Sequence, residues 1–357
     1  MTRQSFYGLF KGKRALVTGD TGFKGSWLCL WLHELGAEVA GVSLPPKRGD
    51  DHYNLIGLNR LIRHADGDIR DLSALTKVFD DFKPDVLFHL AAQSLVRLSY
   101  DEPKETFDTN VGGSVNVLEA ARTTESLRSI VYVTSDKCYR NNEWPWGYRE
   151  NDRLGGHDPY SASKAAAELV FSSYMDSFLS RREGIGAASV RAGNVIGGGD
   201  WSPDRIVPDC IRALRAGVPV ELRNPHAVRP WQHVLDPLAG YLLLAARLLN
   251  EPQKYSGPWN FGPDDGAVRT VRDLAEKIIE GWGKGEVRAS KEAPGPHEAH
   301  TLRLNCDKAR ALLGWAPVWG FDAAAAETAA WYKAVSNGAN ALEASRGQIK
   351  TFMGGPG

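Results

Sequence analysis

The chain has 357 residues, 43% of them hydrophobic, enough for a sizeable core in one large domain or two of ordinary size. Lys+Arg and Asp+Glu number 43 each, so the net charge is zero and no overall field favours nucleic acid or a membrane surface; an anionic ligand has to be held locally. The separated cysteines Cys29, Cys138, Cys210 and Cys306 offer neither a zinc site nor a disulfide framework and fit free thiols in a reducing cytoplasm, while no signal peptide and no apolar run of about 18 residues is apparent.

The predicted elements alternate. Arg14 to Gly19 reads as a first strand, and Phe23 to Leu35 carries Trp27, Leu28, Trp31, Leu32 and Leu35 at helical spacing. Glu38 to Ser43 predicts a second strand, His64 to Asp68 a third, Asp71 to Phe82 a helix and the apolar Asp85 to Ala92 a fourth strand. Pro103 to Arg122 predicts a long helix, Ser129 to Ser135 a fifth strand, Tyr160 to Leu179 a helix and Ala187 to Gly193 a sixth strand. This rhythm implies an α/β fold, a Rossmann-type doubly wound parallel sheet whose buried strands read as continuous apolar runs. Beyond Asn194 the rhythm breaks: Gly197 to Trp201 is loop-like and prolines recur from Pro203 to Pro230. Tyr241 to Asn250 and Thr270 to Trp282 read as helices, and Gly285 to His300 is polar.

The first strand runs into Gly19-Asp20-Thr21-Gly22-Phe23-Lys24-Gly25, a G-x-x-G-x-x-G turn that opens a helix. Glycine allows the tight turn and a close backbone approach to a pyrophosphate at the helix N-terminus. Gly19, Thr21, Gly22, Phe23, Lys24 and Gly25 are therefore candidates to cradle a dinucleotide, against the plainer reading of a structural turn. An acidic residue ending the second strand would bind the ribose of NAD, but the strand closes Gly41-Val42-Ser43-Leu44. Ser43 offers a weak ribose contact. Lys47 and Arg48 suit a 2′-phosphate or are simply solvated loop charges. Asp68, after the third strand, is placed to accept from an adenine amino group, and Asp71 to cap the next helix.

Tyr160-Ser161-Ala162-Ser163-Lys164 puts a tyrosine and a lysine on one helix face. An ammonium near a phenol lowers its pKa from about 10 and makes it a base for a sugar hydroxyl. The pair alone is common; Thr134-Ser135 at the end of the fifth strand, with a hydroxyl to share the substrate oxygen, gives it weight. The set Gly19/Gly22/Gly25, Leu90-Ala91-Ala92-Gln93, Thr109-Asn110-Val111, Ser135, Tyr160/Lys164, Arg191-Ala192-Gly193-Asn194-Val195, Arg229-Pro230-Trp231-Gln232-His233-Val234 and Asn260-Phe261-Gly262 resembles the extended short-chain dehydrogenase/reductase family of sugar-nucleotide enzymes. The resemblance covers roughly residues 10 to 335. Most 4,6-dehydratases of the family carry Asp-Glu after the Ser/Thr, and epimerases have no such pair; this chain has Asp136-Lys137. With Asn194 to Trp201, Asn224 to His233 and Pro296 to His300, the pattern is similar to the 4,6-dehydratases that act on CDP-glucose.

The resemblance implies NAD as cofactor, with Ile69, Leu90, Ala91, Ala92, Gln93 and Asn110 along its site and Lys164 touching the nicotinamide ribose. It implies conversion of CDP-glucose to CDP-4-keto-6-deoxyglucose. Oxidation at C4 acidifies the adjacent C5–H, so water can leave from C6 before hydride returns there. Tyr160 takes the C4 hydroxyl proton, Ser135 bonds the C4 oxygen, Asp136 is the acid at C6 and Lys137 the base at C5. Lys137 then has to be neutral, through burial or the nearby Lys164; otherwise it steadies an enolate as a cation or pairs with Asp136. Asn194 and Arg229 are candidates for the substrate diphosphate, with Arg97, Arg205, His233 and His297 as further substrate contacts. Trp231 packs under a base or fills the domain junction. His297 and His300 lack further ligands at metal spacing, and the chemistry needs no metal. Helices 103–122 and 160–179 resemble the pair by which such enzymes form homodimers through a four-helix bundle.

The expected division is a dinucleotide-binding domain of residues 1–193 with about 233–262, a smaller discontinuous substrate-binding domain of about 194–232 and 263–345, and a tail, 346–357, free to fray. A sugar-nucleotide epimerase, or a dehydratase of a GDP- or dTDP-sugar, would share nearly all of this. A non-catalytic dinucleotide sensor would lack Tyr160 and Lys164, and a stoichiometric reductase would release its cofactor each turn.

Overall fold

The computed structural model describes residues 6–264, 266, 268–290 and 301–354. Its sheet has seven strands: β1 (Arg14–Thr18), β2 (Glu38–Ser43), β3 (Arg63–Asp66), β4 (Val86–His89), β5 (Ser129–Val133), β6 (Gly186–Arg191) and β7 (Gly257–Asn260). All pairings are parallel, in the order β7-β6-β5-β4-β1-β2-β3. Alternation along the strands fills two cores. Ala15, Val17, Val131 and Val190 face one, and Leu16, Leu87 and Ile130 the other. The first core is completed by α1 (Phe23–Glu34), and the second by α2 (Leu72–Phe82), α3 (Gly113–Thr123) and α4 (Pro159–Ser177).

Several boundaries differ from expectation for local reasons. The fourth strand stops at His89, because Leu90 to Gln93 leaves the sheet where β4 and β1 part. The long helix expected over 103–122 is broken into Pro103–Phe107, a π-helical turn Asp108–Gly112 and α3. The wide turn directs Asn110 inward, 1% exposed. The proline-rich stretch after Trp201 contains α5 (Ile206–Ala216), whose Pro208 lies in the first turn, where its missing N–H is not needed. The helix expected from Tyr241 begins earlier, as α6 (Leu235–Asn250), and leads to β7, a strand the sequence reading did not single out.

Past β6 the chain builds a second lobe from three short strand pairs, α5 and α7 (Val271–Trp282): Val195–Ile196 with Gln232–His233, Val228–Pro230 with Val268–Thr270, and Val220–Leu222 with Val287–Ala289. Apolar residues of both lobes join one continuous core, together with α8 (Phe321–Ser336) and α9 (Ala341–Gly354). The expectation of a fraying tail is not met between 346 and 354. Ile349 and Phe352, three residues apart on one face of α9, are buried, and the Phe352 ring lies 5.6 Å from Trp31 and 5.1 Å from Trp319. Arg346 adds an ion pair to Glu34 of α1 at 2.8 Å. Among the described residues no helix is long and apolar enough to cross a membrane.

Phe352→Ala removes the main apolar anchor of α9. It is expected to cost about 3–5 kcal/mol of stability in urea unfolding, and an unchanged midpoint would show that α9 is held by other means.

Candidate active site

The neighbours β1 and β4 send their following segments apart, one into the glycine turn and α1, the other into Leu90 to Gln93. This opens a crevice at the strand ends. A Cβ on Gly25 would lie 2.0 Å from the Gly19 carbonyl oxygen, so only glycine closes this turn. Gly22 caps α1 without a side-chain hydrogen bond, and the first-turn amides stay open to an anion.

The carboxylate missing from the end of β2 is found on the turn itself. Asp20 is fully buried; Ser43 Oγ donates to it at 2.9 Å, and His64 Nδ1 lies 2.7 Å from its other oxygen. Ser43 also meets the Thr21 hydroxyl at 2.9 Å, so it braces the turn rather than standing open to a ribose. The Asp20 hydrogen bond raises the His64 pKa, with Asp66 at 3.1 Å on the opposite ring nitrogen adding to it. No sequence pattern pairs residues 20 and 64. Arg48 is held by Asp50 at 2.8 Å, which ties it to its own loop, while Lys47 lines the cleft. Asp68 stands at the rim, gripped by Arg70 at 2.5 Å with its pKa lowered by that hydrogen bond, and Arg70 extends to Glu105. Asp71 caps α2 through the Ala74 amide at 3.0 Å. Ile69 is buried behind this rim. Leu90 and Ala91 are fastened to Thr18, and Asn110 exchanges two hydrogen bonds with the Gln93 backbone, at 2.8 and 3.0 Å, and a third with Ser163 at 2.9 Å. Asn110 therefore staples the β4 loop to α4.

Between the strand ends and the second lobe lies a cleft of about 1870 Å³ lined by Lys24, Ser135, Asp136, Lys137 and Tyr160. Asp158, which accepts from the Ser161 amide at 2.9 Å, and Pro159 start α4 immediately before Tyr160. Lys164 is 6% exposed. The expected lowering of the phenol is reversed: burial pushes Tyr160 up to about 12, and a hydrogen bond with Ser135 offsets only part of this. Burial also lowers Lys164 to about 8. Thr134 is turned away, its hydroxyl bonded to Glu168 behind the sheet, and Ser135 alone of that pair faces the cleft.

Asp136, 2% exposed, opens a short 3-10 turn after β5. Ser135 Oγ donates to its Oδ1 at 3.0 Å, and Asn194 Nδ2 to its Oδ2 at 3.4 Å. A Cβ on Gly193 would lie 1.9 Å from Oδ2, so the glycine makes room for the acid. Asn194, in the left-handed region at φ 53°, thus contacts Asp136. Lys137 Nζ lies 3.9 Å from Asp136, and its side chain is 36% exposed, so the burial expected to neutralise it is absent.

Arg97, Arg205 and Arg229 all line the cleft. Arg205 pairs with Asp200 at 2.8 Å and Arg97 with Asp204 at 3.2 Å. The sequence reading missed Arg223, which shares Asp204 with Arg97 at 2.7 Å; its place beside a three-residue strand carried no motif. Lys24 was expected for its backbone position, yet its side chain also reaches the cleft, where burial and then Arg205 lower it to about 8. Trp231 lines the cleft. His233 is not brought there: it is fully buried between Trp27 and Trp319, ring centroids 6.2 and 4.7 Å away, because its strand turns it into the core. His297 lies outside the described residues.

A doubly wound sheet, an open glycine turn and a Ser-Tyr-Lys set under a second lobe define the class of sugar-nucleotide enzymes built on the extended short-chain dehydrogenase/reductase fold. The chain belongs to the GDP-mannose 4,6 dehydratase family, whose profile matches residues 16–328. It is 47% identical to a Salmonella typhimurium protein named CDP-glucose 4,6-dehydratase, over 96% of this chain and 97% of that one. It is 26% identical to human GDP-mannose 4,6 dehydratase, over 86% and 88% of the two chains. Among solved structures, the Streptomyces venezuelae dTDP-glucose 4,6-dehydratase with NAD bound superposes with a TM-score of 0.77 at 26% identity, over 92% of this chain and 99% of that one. The Thermus thermophilus UDP-glucose 4-epimerase complex with NAD gives 0.77 at 27% identity, over 90% and 99%.

The Asp20–His64 pair makes the turn's support pH-dependent. Because the His64 pKa is raised in the folded protein, its contribution to stability is complete below its ordinary value of 6.5 and is lost as pH rises through the folded value. Urea unfolding of the protein and of His64→Gln should therefore differ most in mildly acidic buffer and converge in alkaline buffer. A constant gap would show that the His64 pKa is the same in the folded and unfolded chain, and that its charge adds nothing to the support of the turn.

Proposed function

We propose that the chain is an NAD-dependent 4,6-dehydratase that converts CDP-glucose to CDP-4-keto-6-deoxyglucose. The substrate reading is supported by the Salmonella typhimurium relative. The chemistry is carried by one observation, a buried carboxyl group, Asp136, that accepts from Ser135 and lines the same cleft as Tyr160. An epimerase needs a proton acceptor at C4 only, whereas expulsion of the C6 oxygen needs an acid as well.

The open turn at α1, with Gly19, Thr21, Gly22, Phe23, Lys24 and Gly25, fits the NAD pyrophosphate, and Asp68 and Ile69 the adenine end. When bound, NAD supplies the hydride acceptor at C4 and the hydride donor at C6. Tyr160 receives the C4 hydroxyl proton and Ser135 holds that oxygen. Lys137 removes the C5 proton and later returns it, and Asp136 protonates the C6 oxygen, which leaves as water. Tyr160 then holds one proton more and Asp136 one fewer. A proton passed from Tyr160 to Asp136 resets the site, and Ser135, which donates to Asp136 at 3.0 Å and lines the same cleft as Tyr160, is placed to relay it. The exposure of Lys137 and its distance of 3.9 Å to Asp136 favour a second reading, in which its ammonium steadies the enolate. Arg97, Arg205, Arg223 and Arg229 suit the substrate diphosphate.

With CDP-glucose and NAD, the expected product has lost one water with no net reduced nicotinamide. An unchanged mass with inverted C4 would mean an epimerase, and dehydration only of another sugar nucleotide would overturn the substrate. Lys137→Met should abolish C5 proton exchange with solvent; exchange that persists while elimination slows assigns the enolate role instead.

The dimer is a further part of this reading. Phe107, Leu169 and Phe178 are 39%, 62% and 42% exposed, on or beside the two helical segments expected to pair. A second copy covering them makes a homodimer, in a reducing compartment suited to the free, buried cysteines. Leu169→Glu should shift sedimentation from dimer to monomer; a wild-type chain that sediments as a monomer excludes the dimer.

A further inference from the structure

Beside Asp136 lies a second, separate cavity of about 10 Å³, space for the centre of one water. Asp136 borders both spaces. The far wall carries Gln232 and Arg303, and among the described residues Gln232 Oε1 and Arg303 Nε are buried without a hydrogen-bond partner. The orientation of the Gln232 amide is settled by its nitrogen, which donates to Gly193 O at 3.0 Å and to Phe261 O at 3.1 Å. Its oxygen is therefore the end left over, and Gln232 is fully buried. A buried acceptor, a buried donor and a carboxylate thus border one space the size of a water. One water satisfies all three: it donates to Gln232 Oε1 and to Asp136, and accepts from Arg303 Nε. Three hydrogen bonds are the usual number for a buried water.

We propose that this cavity holds a resident water, and that Gln232 and Arg303 are positioning residues that act through it on Asp136. The functional half rests on the dehydratase reading above. Ser135 and Asn194, which line the main cleft, hold the carboxyl group there, and the water adds a donor from the second cavity. The water stays in place when substrate fills the cleft. It gives the carboxylate a donor at the moment its proton has gone to the C6 oxygen, so the negative charge left on Asp136 is not stranded in a low dielectric.

A high-resolution crystal structure of the unmodified protein should show one density peak within hydrogen-bond distance of Asp136, Gln232 Oε1 and Arg303 Nε; an empty cavity overturns the proposal. In single-turnover experiments with CDP-glucose, Gln232→Met and Arg303→Met should leave C4 oxidation, read as transient reduced-nicotinamide absorbance, within about twofold of the unmodified enzyme. Loss of water should slow roughly tenfold, and the pH limb of the elimination step should move. Equal slowing of both steps with an unmoved limb means a structural effect only and overturns the positioning role. If neither variant folds, the density in the unmodified protein decides. An unmodified enzyme that never dehydrates CDP-glucose refutes the dehydratase reading instead, and the density still answers for the water.

Discussion

A carboxyl group that is 2% exposed must either carry a proton or be surrounded by donors, because a bare charge out of water costs far more than a domain can spare. Asp136 imposes that condition on the junction between the two lobes. Ser135 at the end of β5 donates to one oxygen, and Asn194 reaches the other from a left-handed backbone position just past β6. Gly193 has no side chain because the carboxylate occupies that space. Gln232, on a short strand beside Val195–Ile196, grips the Gly193 carbonyl and so fixes the lobe to the acid. Residues from three separate stretches of chain are arranged around one functional group.

The same exclusion of water acts on Tyr160, Lys24 and Lys164, in each case toward the neutral form. It pushes Tyr160 up to about 12 and brings Lys24 and Lys164 down to about 8. A phenol held near 12 keeps its proton at neutral pH, so a role as proton acceptor requires that bound ligands lower it. The arginines that line the cleft are held by carboxylates of the same lining, Arg205 by Asp200 and Arg97 and Arg223 by Asp204, in a chain whose net charge is zero. Guanidinium groups fixed in this way offer hydrogen bonds to an anionic ligand without a charged surface elsewhere.

Behind the sheet, Arg191 of β6 and Glu168 of α4 form an ion pair at 2.8 Å, 3% and 2% exposed. Ser189 and Thr134 complete the carboxylate's hydrogen bonds, and Tyr139 meets Arg191 at 2.6 Å. Such a pair adds little stability over a well-packed apolar core, but removing one partner strands the other. Its place, one helical turn beyond Lys164, means that it sets the height of α4 and therefore of Tyr160 above the sheet. The pair was invisible in the sequence because Glu168 reads as one more charge on an amphipathic helix, and Arg191 as part of a family motif.

What the sequence determined was local. Apolar runs of strand length alternating with helical periodicity bury themselves as a parallel sheet covered by helices, and six of its seven strands are legible in order. Gly19 to Gly25, Ser135 and the Tyr160–Lys164 spacing were also readable, because each depends on neighbours within a few residues. Tertiary structure decided the rest. Asp20 became a buried support through His64, His233 went to the core instead of the cleft, Arg223 arrived beside Arg97, and α9 docked through Phe352. Each of these outcomes depends on which groups from distant segments share a space from which water is excluded. Periodicity and spacing along a chain do not encode that, since the energy of a buried charge or ring is set by what packs against it.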